Sequence, residues 1–389
     1  MKEVVIVDAT RTPIGKLNGM LKDVSAKDLA KTVMESIQSR TKFDLASLDE
    51  IIVGNVDAPS NAPNIGRVAA LELGWPLHIP SYIVGQNCAS SLQAFMNGVQ
   101  SIQAGNSQMS LIVGTENMSQ IPYVIRGARD GFKMGDRRMK DSLLEMLVDP
   151  VENISMGETA QILAEEYEID REQQDEYALR SVKRAWSARD EGIVDYEITP
   201  VTIQDEKMSQ DELNFRDLTL EQLSKLKPAF KSGGSVTPGN TCGMNDGAAA
   251  LLMMSKDKAE QLGLRPIAKV RSFASVGVDP KRMGLGPVRA IPKALEKADL
   301  EMEDIDLFEV NEAFAAQTLA CIQELGIDQE KLNPLGGAIA LGHPVGATGV
   351  RLLVTLLNGL RTSGKKYGVA SLCVGGGLGG AVVIERMEE

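Results

Sequence analysis

Two rhythms of apolar and polar positions alternate along this chain. Short runs rich in β-branched residues, Glu3 to Val7, Glu50 to Val53 and Ser110 to Val113, are nearly unbroken in their apolar character and predict strands. Ala26 to Arg40 and Ser90 to Ala104 instead space their apolar side chains three and four residues apart, which predicts helices. Strands apolar on both faces, separated by helices, imply a sheet covered on both sides, hence an α/β layered fold.

The two ends of the chain carry the same succession of elements. Near the front, a turn at Cys88 opens a helix, and a loop leads on to the strand MSLIVGTE. Near the back, a turn at His343 opens a helix running through Leu360, and a loop leads on to YGVASLCVG. A unit present once in each half points to an internal duplication, its two copies packed back to back. From about Gln120 to Gly243 the pattern changes: RGARDGFKMGDRRMK and EEYEIDREQQDEYALRSVKRAW are polar, strand signals are few and the helices are amphipathic. That composition suits an inserted, mostly helical loop domain covering a site that the two halves form. The expected partition is 1–119 with 244–265 as the first half, 120–243 as the insertion and 266–389 as the second half.

Composition narrows the classes. A chain of 389 residues is long for one core, so two or three packed units are expected. The 53 acidic against 41 basic residues give a net charge of −12, which argues against nucleic acid or an anionic membrane as partner. Structure begins at once in MKEVVIVDATRTP, so no signal peptide is expected. The longest uncharged stretch, Gly368 to Ile384, approaches the length of a membrane span, but six of its 17 residues are glycine. It reads as strand, turn and strand. The four cysteines (Cys88, Cys242, Cys321, Cys373) contain no CxxC pair, so free thiols in a reducing, cytoplasmic setting are expected.

Candidate chemistry starts at Cys88 in SYIVGQNCASSLQAFMNG. A strand ends at Gly85 and a helix follows the cysteine, so the thiol faces the free N–H groups and dipole of a helix N-terminus, which favour a thiolate. The alternative is a small buried hydrophobe, the common fate of free cysteine. Cys373, in SLCVGGGLGGAVVIE, ends a strand and is followed by five glycines in seven residues. A tight hairpin accounts for two of these; the rest suggest backbone approaching a ligand. A phosphate loop does not fit, because the run lacks the Walker lysine and the helix context. Of the two histidines, His343 lies among small residues in NPLGGAIALGHPVGATGVR and is poorly explained as core packing. His78, in the proline-flanked connector LGWPLHIPSY, has no companion chemistry. Asn311 in FEVNEAFAAQ follows a short strand, where an N-cap with Glu312 in the first turn is the plain reading.

Together these segments resemble the thiolase family, and the likeness runs the length of the chain: DATRTPIGK, QNCASSLQA, GTENMS, SMGETA, KPAF with GSVTPGNTCGMNDGAAA, MGLGPV, VNEAFAAQ, NPLGGAIALGHPVGATG and CVGGGLGGA. The resemblance implies a duplicated α/β/α/β/α fold and reversible acyl transfer between CoA thioesters, either two acetyl-CoA to acetoacetyl-CoA and CoA or thiolysis of a 3-ketoacyl-CoA. It implies Cys88 as nucleophile, His343 as its proton acceptor, and Cys373 as the acid and base toward departing CoA and the second acetyl-CoA. Asn311, through a water, and His343 would form one oxyanion hole; the N–H groups of Cys88 and Gly375 would form the other. Met156 and Met283 fall where the family lines its acyl and pantetheine pocket. Ser155 and Cys242 stand where many biosynthetic thiolases have histidine and serine, and both positions touch substrate in the family, so acyl chain length stays open. Arg126, Arg129, Lys133, Arg137 and Arg138 could answer CoA phosphates. No metal or further cofactor is expected, and a homodimer or homotetramer is. A decarboxylating ketoacyl synthase, the nearest rival, needs a second histidine where Asn311 stands; a silent CoA-binding protein would leave four reactive side chains idle.

Overall fold

The apolar runs fold as strands in a computed structural model that describes residues 2–214 and 216–387. Met1, Phe215, Glu388 and Glu389, in the terminal segments and insertion partitioned above, lie outside the described residues. Nine strands build the main sheet: β1 (Val4–Arg11), β2 (Glu50–Gly54), β3 (Ser81–Val84), β4 (Met109–Asn117), β5 (Asn245–Ser255), β6 (Ala268–Gly277), β7 (Leu307–Val310), β8 (Tyr367–Val374) and β9 (Leu378–Arg386). A two-residue strand, Gly15–Lys16, pairs with the start of β5.

The strand order, β7-β8-β9-β6-β1-β5-β4-β2-β3, is nearly a palindrome. In each half a parallel pair (β7 with β8, β2 with β4) continues through two antiparallel pairs to β6 or β1. Those two central strands share only the pairs Val5–Lys269 and Ile6–Ala268, and there the sheet divides into two leaves. Among the described residues β3 has no counterpart in the second half.

Eight longer helices complete the layers: α1 (Ala26–Thr41), α2 (Ile65–Glu72), α3 (Ser90–Ala104), α4 (Met156–Glu166), α5 (Arg171–Asp190), α6 (Gly286–Ala298), α7 (Ala315–Leu325) and α8 (Thr348–Ser363). Strand periodicity sorts the side chains between layers. Ile51, Val53, Leu111 and Val113 face outward to Leu29 and Val33 of α1. Ile52 and Ile112 face inward to Leu92, Phe95 and Val99 of α3 and to Val350, Leu353 and Leu360 of α8, which reach Leu372, Val382 and Ile384 of the second leaf. Ile291 and Leu295 of α6 and Ala315 of α7 cover the far face over Phe308, Val310, Val369 and Val383. The result is α/β/α/β/α, as the resemblance implied. α8 is buried from Thr348 through Leu360, as expected of a helix apolar nearly all round.

The region between the halves carries α4 and α5, which pack on α7 and on the short turn Ala338–Leu341. The rest of it runs in turns, two short helices (Ser142–Glu145 and Leu220–Ser224) and two small ribbons, Tyr123–Val124 with Lys140–Asp141 and Val201–Ile203 with Glu206–Met208. α8 follows a turn at His343, as predicted. Its first bond runs from Thr348 N to Pro344 O, so His343 stands in the loop before the first turn.

Candidate active site

The central helices α3 and α8 meet end to end, and their N-termini bring the two halves' chemistry together. A Cβ on Gly349 would lie 2.3 Å from Leu92 N, and one on Gly114 would lie 2.8 Å from Ala347 Cα. Only glycine permits that approach.

Cys88 precedes α3, whose N-cap, Ala89, offers no side-chain bond. Asn87, just before it, adopts left-handed φ of 46° and donates from Nδ2 to Gly375 O at 2.8 Å. That bond docks the nucleophile turn onto the glycine-rich turn from β8 to β9. Cys88, Met156, Gly375 and Gly376 line one cleft of about 330 Å³, with Val345 beside them. Burial pushes the Cys88 thiol up, and a neighbouring carboxylate, Glu116, adds to the rise; the N–H groups of Gly375 and of Cys88 itself pull the other way and lose. Against the pull of the helix terminus toward a thiolate, desolvation holds this thiol above its ordinary value.

His343 is 6% exposed. Thr348 Oγ1 lies 3.0 Å from Pro344 O and 2.7 Å from His343 Nδ1, and both contacts are hydrogen bonds at once only when the hydroxyl donates to the carbonyl and accepts from an Nδ1–H. This network assigns the ring proton to Nδ1 and leaves Nε2 as a bare lone pair, buried and without a partner. Burial, reinforced by the charge of Arg351, pushes the imidazole down to about 3. A neutral base with its lone pair free is well suited to taking a thiol proton. The backbone of His343 is held by Asn245 Oδ1 (3.1 Å) and Gly243 O (3.3 Å).

Cys373, next to last in β8, is 2% exposed; burial raises its thiol well above the usual value, with Cys88, Cys321 and Cys242 as charged neighbours when ionised. Cys242 is half-buried, its thiol pushed up to about 12 by burial, and its N–H bonds Ala313 O at 3.1 Å. Met283 is buried with Cys373, Phe314 and Met156 in one apolar cluster. Of the five glycines after Cys373, Gly376 and Gly377 make the turn with φ of 90° and 80°, and Gly379 lets the α6 terminus pack, since a Cβ there would lie 2.3 Å from Gly286 O. Gly375 alone turns its N–H on the Cys88 sulfur.

Asn311 does not cap a helix. α7 begins at Ala315 with Phe314 as its cap, and Asn311 N instead bonds Ser371 O at 2.9 Å. Its Oδ1 accepts from Arg351 Nη2 at 3.3 Å, while Nδ2 is buried without a partner. Glu312 likewise serves no first turn. It accepts from Tyr177, Ser181, Asn333 and Ile339 N, clasping α5 to the segment before His343. Ser155 caps α4 in a reciprocal capping box with Glu158, so its hydroxyl is engaged there. Of the basic residues proposed for phosphates, Arg126 pairs at 2.8 Å with Glu145 on the cleft rim; Arg129, Lys133, Arg137 and Arg138 lie on an exposed loop. His78 sits on an exposed turn after α2, away from this assembly.

Sequence reasoning missed Thr348, Glu116 and Arg351. Glu116 accepts from Val56 N, Asp57 N, Asn55 Nδ2 and Gly346 N at 2.9 to 3.1 Å, yet burial still raises its carboxyl to about 7. A lone arginine in the apolar run VRLLVTLL was a signal for Arg351; nothing local marked the other two. Among the described residues no group of three or more His, Cys, Asp or Glu could hold a metal, and no helix is long and apolar enough to cross a membrane.

Comparison with known proteins adds independent observations. Residues 4–257 match the thiolase N-terminal domain and 264–386 the thiolase C-terminal domain. The chain is 45% identical over 394 residues to a probable acetyl-CoA acyltransferase of Staphylococcus epidermidis, covering 100% of both. A crystal structure of the Bacillus anthracis acetyl-CoA acetyltransferase is similar at TM-score 0.97 and 44% identity, covering 100% of this chain and 99% of that one. Human mitochondrial 3-ketoacyl-CoA thiolase, solved in complex with CoA, is similar at TM-score 0.97 and 41% identity, covering 99% and 98%.

Proposed function

The chain belongs to the thiolase family, an acyltransferase fold and function on both halves, and on that footing we propose that it moves acyl groups between CoA thioesters through an acyl-Cys88 intermediate. The observation that carries the reading is the bare, buried Nε2 of His343, fixed by Thr348 at the joint where α3 and α8 bring the Cys88 turn close.

At rest both partners are neutral, which suits a desolvated site. As Cys88 Sγ attacks a thioester carbon, its proton passes to His343 Nε2, and the carbonyl oxygen becomes an oxyanion. Asn311 Nδ2, through a water, and His343 would stabilise charge on one thioester oxygen; the N–H groups of Cys88 and Gly375 would stabilise it on the other. Collapse breaks the carbon–sulfur bond to CoA, and Cys373, a thiol held protonated by burial, delivers a proton to the leaving CoA sulfur. The Cys373 thiolate then removes a proton from the methyl of a second acetyl-CoA, whose carbanion attacks the acyl-Cys88 carbonyl; the adduct collapses with cleavage of the Cys88 Sγ–carbon bond, and the Cys88 thiolate takes back the proton held on His343 Nε2. Thiolysis of a 3-ketoacyl-CoA is the same path reversed. Met156 and Met283, with Cys242 near the base, would shape the acyl slot; Ser155 acts through the cap of α4. No cofactor beyond the CoA thioesters enters this scheme. Cytoplasmic work in fatty acid metabolism as a homodimer or homotetramer completes the reading, in keeping with the open outer edge of β3.

Acetyl-CoA should label the Cys88 peptide with one acetyl group in a quenched digest, and Cys88→Ser should abolish both label and acetoacetyl-CoA thiolysis. Full turnover by that variant, or an acetyl group found only elsewhere, would refute the scheme.

A further inference from the structure

Beneath the site lies a cation that stability does not explain. Arg351, on α8, is 1% exposed among Val350, Leu352 and Leu353. Its Nη1 is 3.8 Å from Glu309 Oε2, an ion pair without a hydrogen bond, and both Nη1 and Nε lack partners. Burial pushes the Glu309 carboxyl up while Arg351 pulls it down, so the pair is a costly one. Removing a guanidinium from water is repaid only when its donors are satisfied, and here most are not. An apolar side chain at this point of α8 would pack as its neighbours do.

The one hydrogen bond that the Arg351 side chain makes among the described residues has a directional consequence. A guanidinium carries donors only, so the Asn311 atom it meets at 3.3 Å is the amide oxygen. That settles the flip of the amide and leaves Nδ2 on the opposite side, buried and unpaired. The strand end that holds Asn311 is fixed separately, by Asn311 N to Ser371 O and Val310 N to Asn333 Oδ1, so Arg351 governs the side chain rather than the backbone.

We infer that Arg351 is a positioning residue for the oxyanion hole: it captures Asn311 Oδ1 and thereby presents Nδ2 as the donor facing the reaction. The inference rests on the role given to Asn311 above. Arg351 adds a second effect at His343, whose imidazole its charge helps keep neutral.

A double-mutant cycle separates the two levels. Thiolysis of acetoacetyl-CoA is measured for Arg351→Met, Asn311→Ala and the pair, with thermal midpoints recorded for each. Asn311→Ala is expected to lower kcat on the order of 100-fold. Arg351→Met is expected to lower kcat at least about 10-fold with KM within about twofold, but to cost under about threefold in the Asn311→Ala background, where no amide remains to aim. Equal losses in both backgrounds overturn the inference and leave Asn311 its role. An Asn311→Ala enzyme with wild-type kcat overturns the role of Asn311 itself. Should Arg351→Met fail to fold, Arg351→Lys, which keeps a buried cation able to donate to Oδ1, carries the cycle. It should hold kcat within about threefold in the Asn311 enzyme, and a larger loss that persists unchanged beside Asn311→Ala is the overturning result.

Discussion

At Thr348 a single hydroxyl decides which ring nitrogen of His343 is basic. Replacing it with the near-isosteric valine leaves the buried Nδ1–H with no acceptor, a penalty of about 1–3 kcal/mol that the ring can escape by moving its proton to Nε2. In that shifted tautomer Nε2 carries the proton and cannot take one from Cys88, so Thr348→Val should lower kcat for acetoacetyl-CoA thiolysis about 10- to 100-fold while KM and the thermal midpoint change little; unchanged kcat would show that the ring keeps its proton on Nδ1 without Thr348. Cys88, His343 and Cys373 were legible in the sequence because each interrupts a run of small residues where packing has no use for it. Thr348 was not, since a threonine in GATG means nothing until Pro344 O and the imidazole are placed on either side of it. The thiolate once expected at Cys88 shows the same limit differently. Helix polarity is local and readable, whereas the burial that overrides it is a property of the fold.

At the scale of elements, the strand and helix rhythms gave α3 to the residue and the cores of β1, β2 and β4, because period-two and period-3.6 patterns are written in neighbouring positions. The cap of α7 was missed: the N-cap residue is Phe314, which offers no side-chain bond, so no cap signal marks the start of that helix. The joint between α3 and α8 makes a sharp test of how much the chemistry depends on helix placement. Gly349→Ala puts a methyl where Leu92 N stands, 2.3 Å away, with backbone rather than a flexible side chain to move. The helices must part, at an overpacking cost of about 1–3 kcal/mol. Because His343 precedes one helix and Cys88 the other, kcat should fall at least about 10-fold alongside the loss in denaturation midpoint. A destabilised variant with wild-type kcat would mean that the joint supports the fold without aligning the pair.

Across the whole molecule, the site is held by groups that tie one leaf's loops to the other's. Glu116 on β4 is the clearest, gripping Val56 and Asp57 after β2 and Gly346 beside His343. Its buried carboxyl titrates near 7 against an ordinary value of 4.5, so between those values the folded protein holds a proton that the unfolded chain has released. Stability from this group is therefore complete below about pH 4.5 and drains away as pH climbs to 7, by an amount on the order of 3 kcal/mol. His343 works in the opposite sense: lowered to about 3 from 6.5, it contributes stability above 6.5 that is lost on acidification. The two overlap at mildly acidic pH, so a wild-type profile alone would blur them. Comparison with Glu116→Gln isolates the carboxylate, because glutamine sets its NH2 against two of the four donors at a fixed cost but does not titrate. Urea unfolding from pH 4.5 to 8 should show the wild type losing ground to Glu116→Gln as pH rises, with the change ending near 7. A gap that stays constant across that range would mean the four donors hold Glu116 ionised throughout, and that the carboxylate beside Cys88 is charged in the working enzyme.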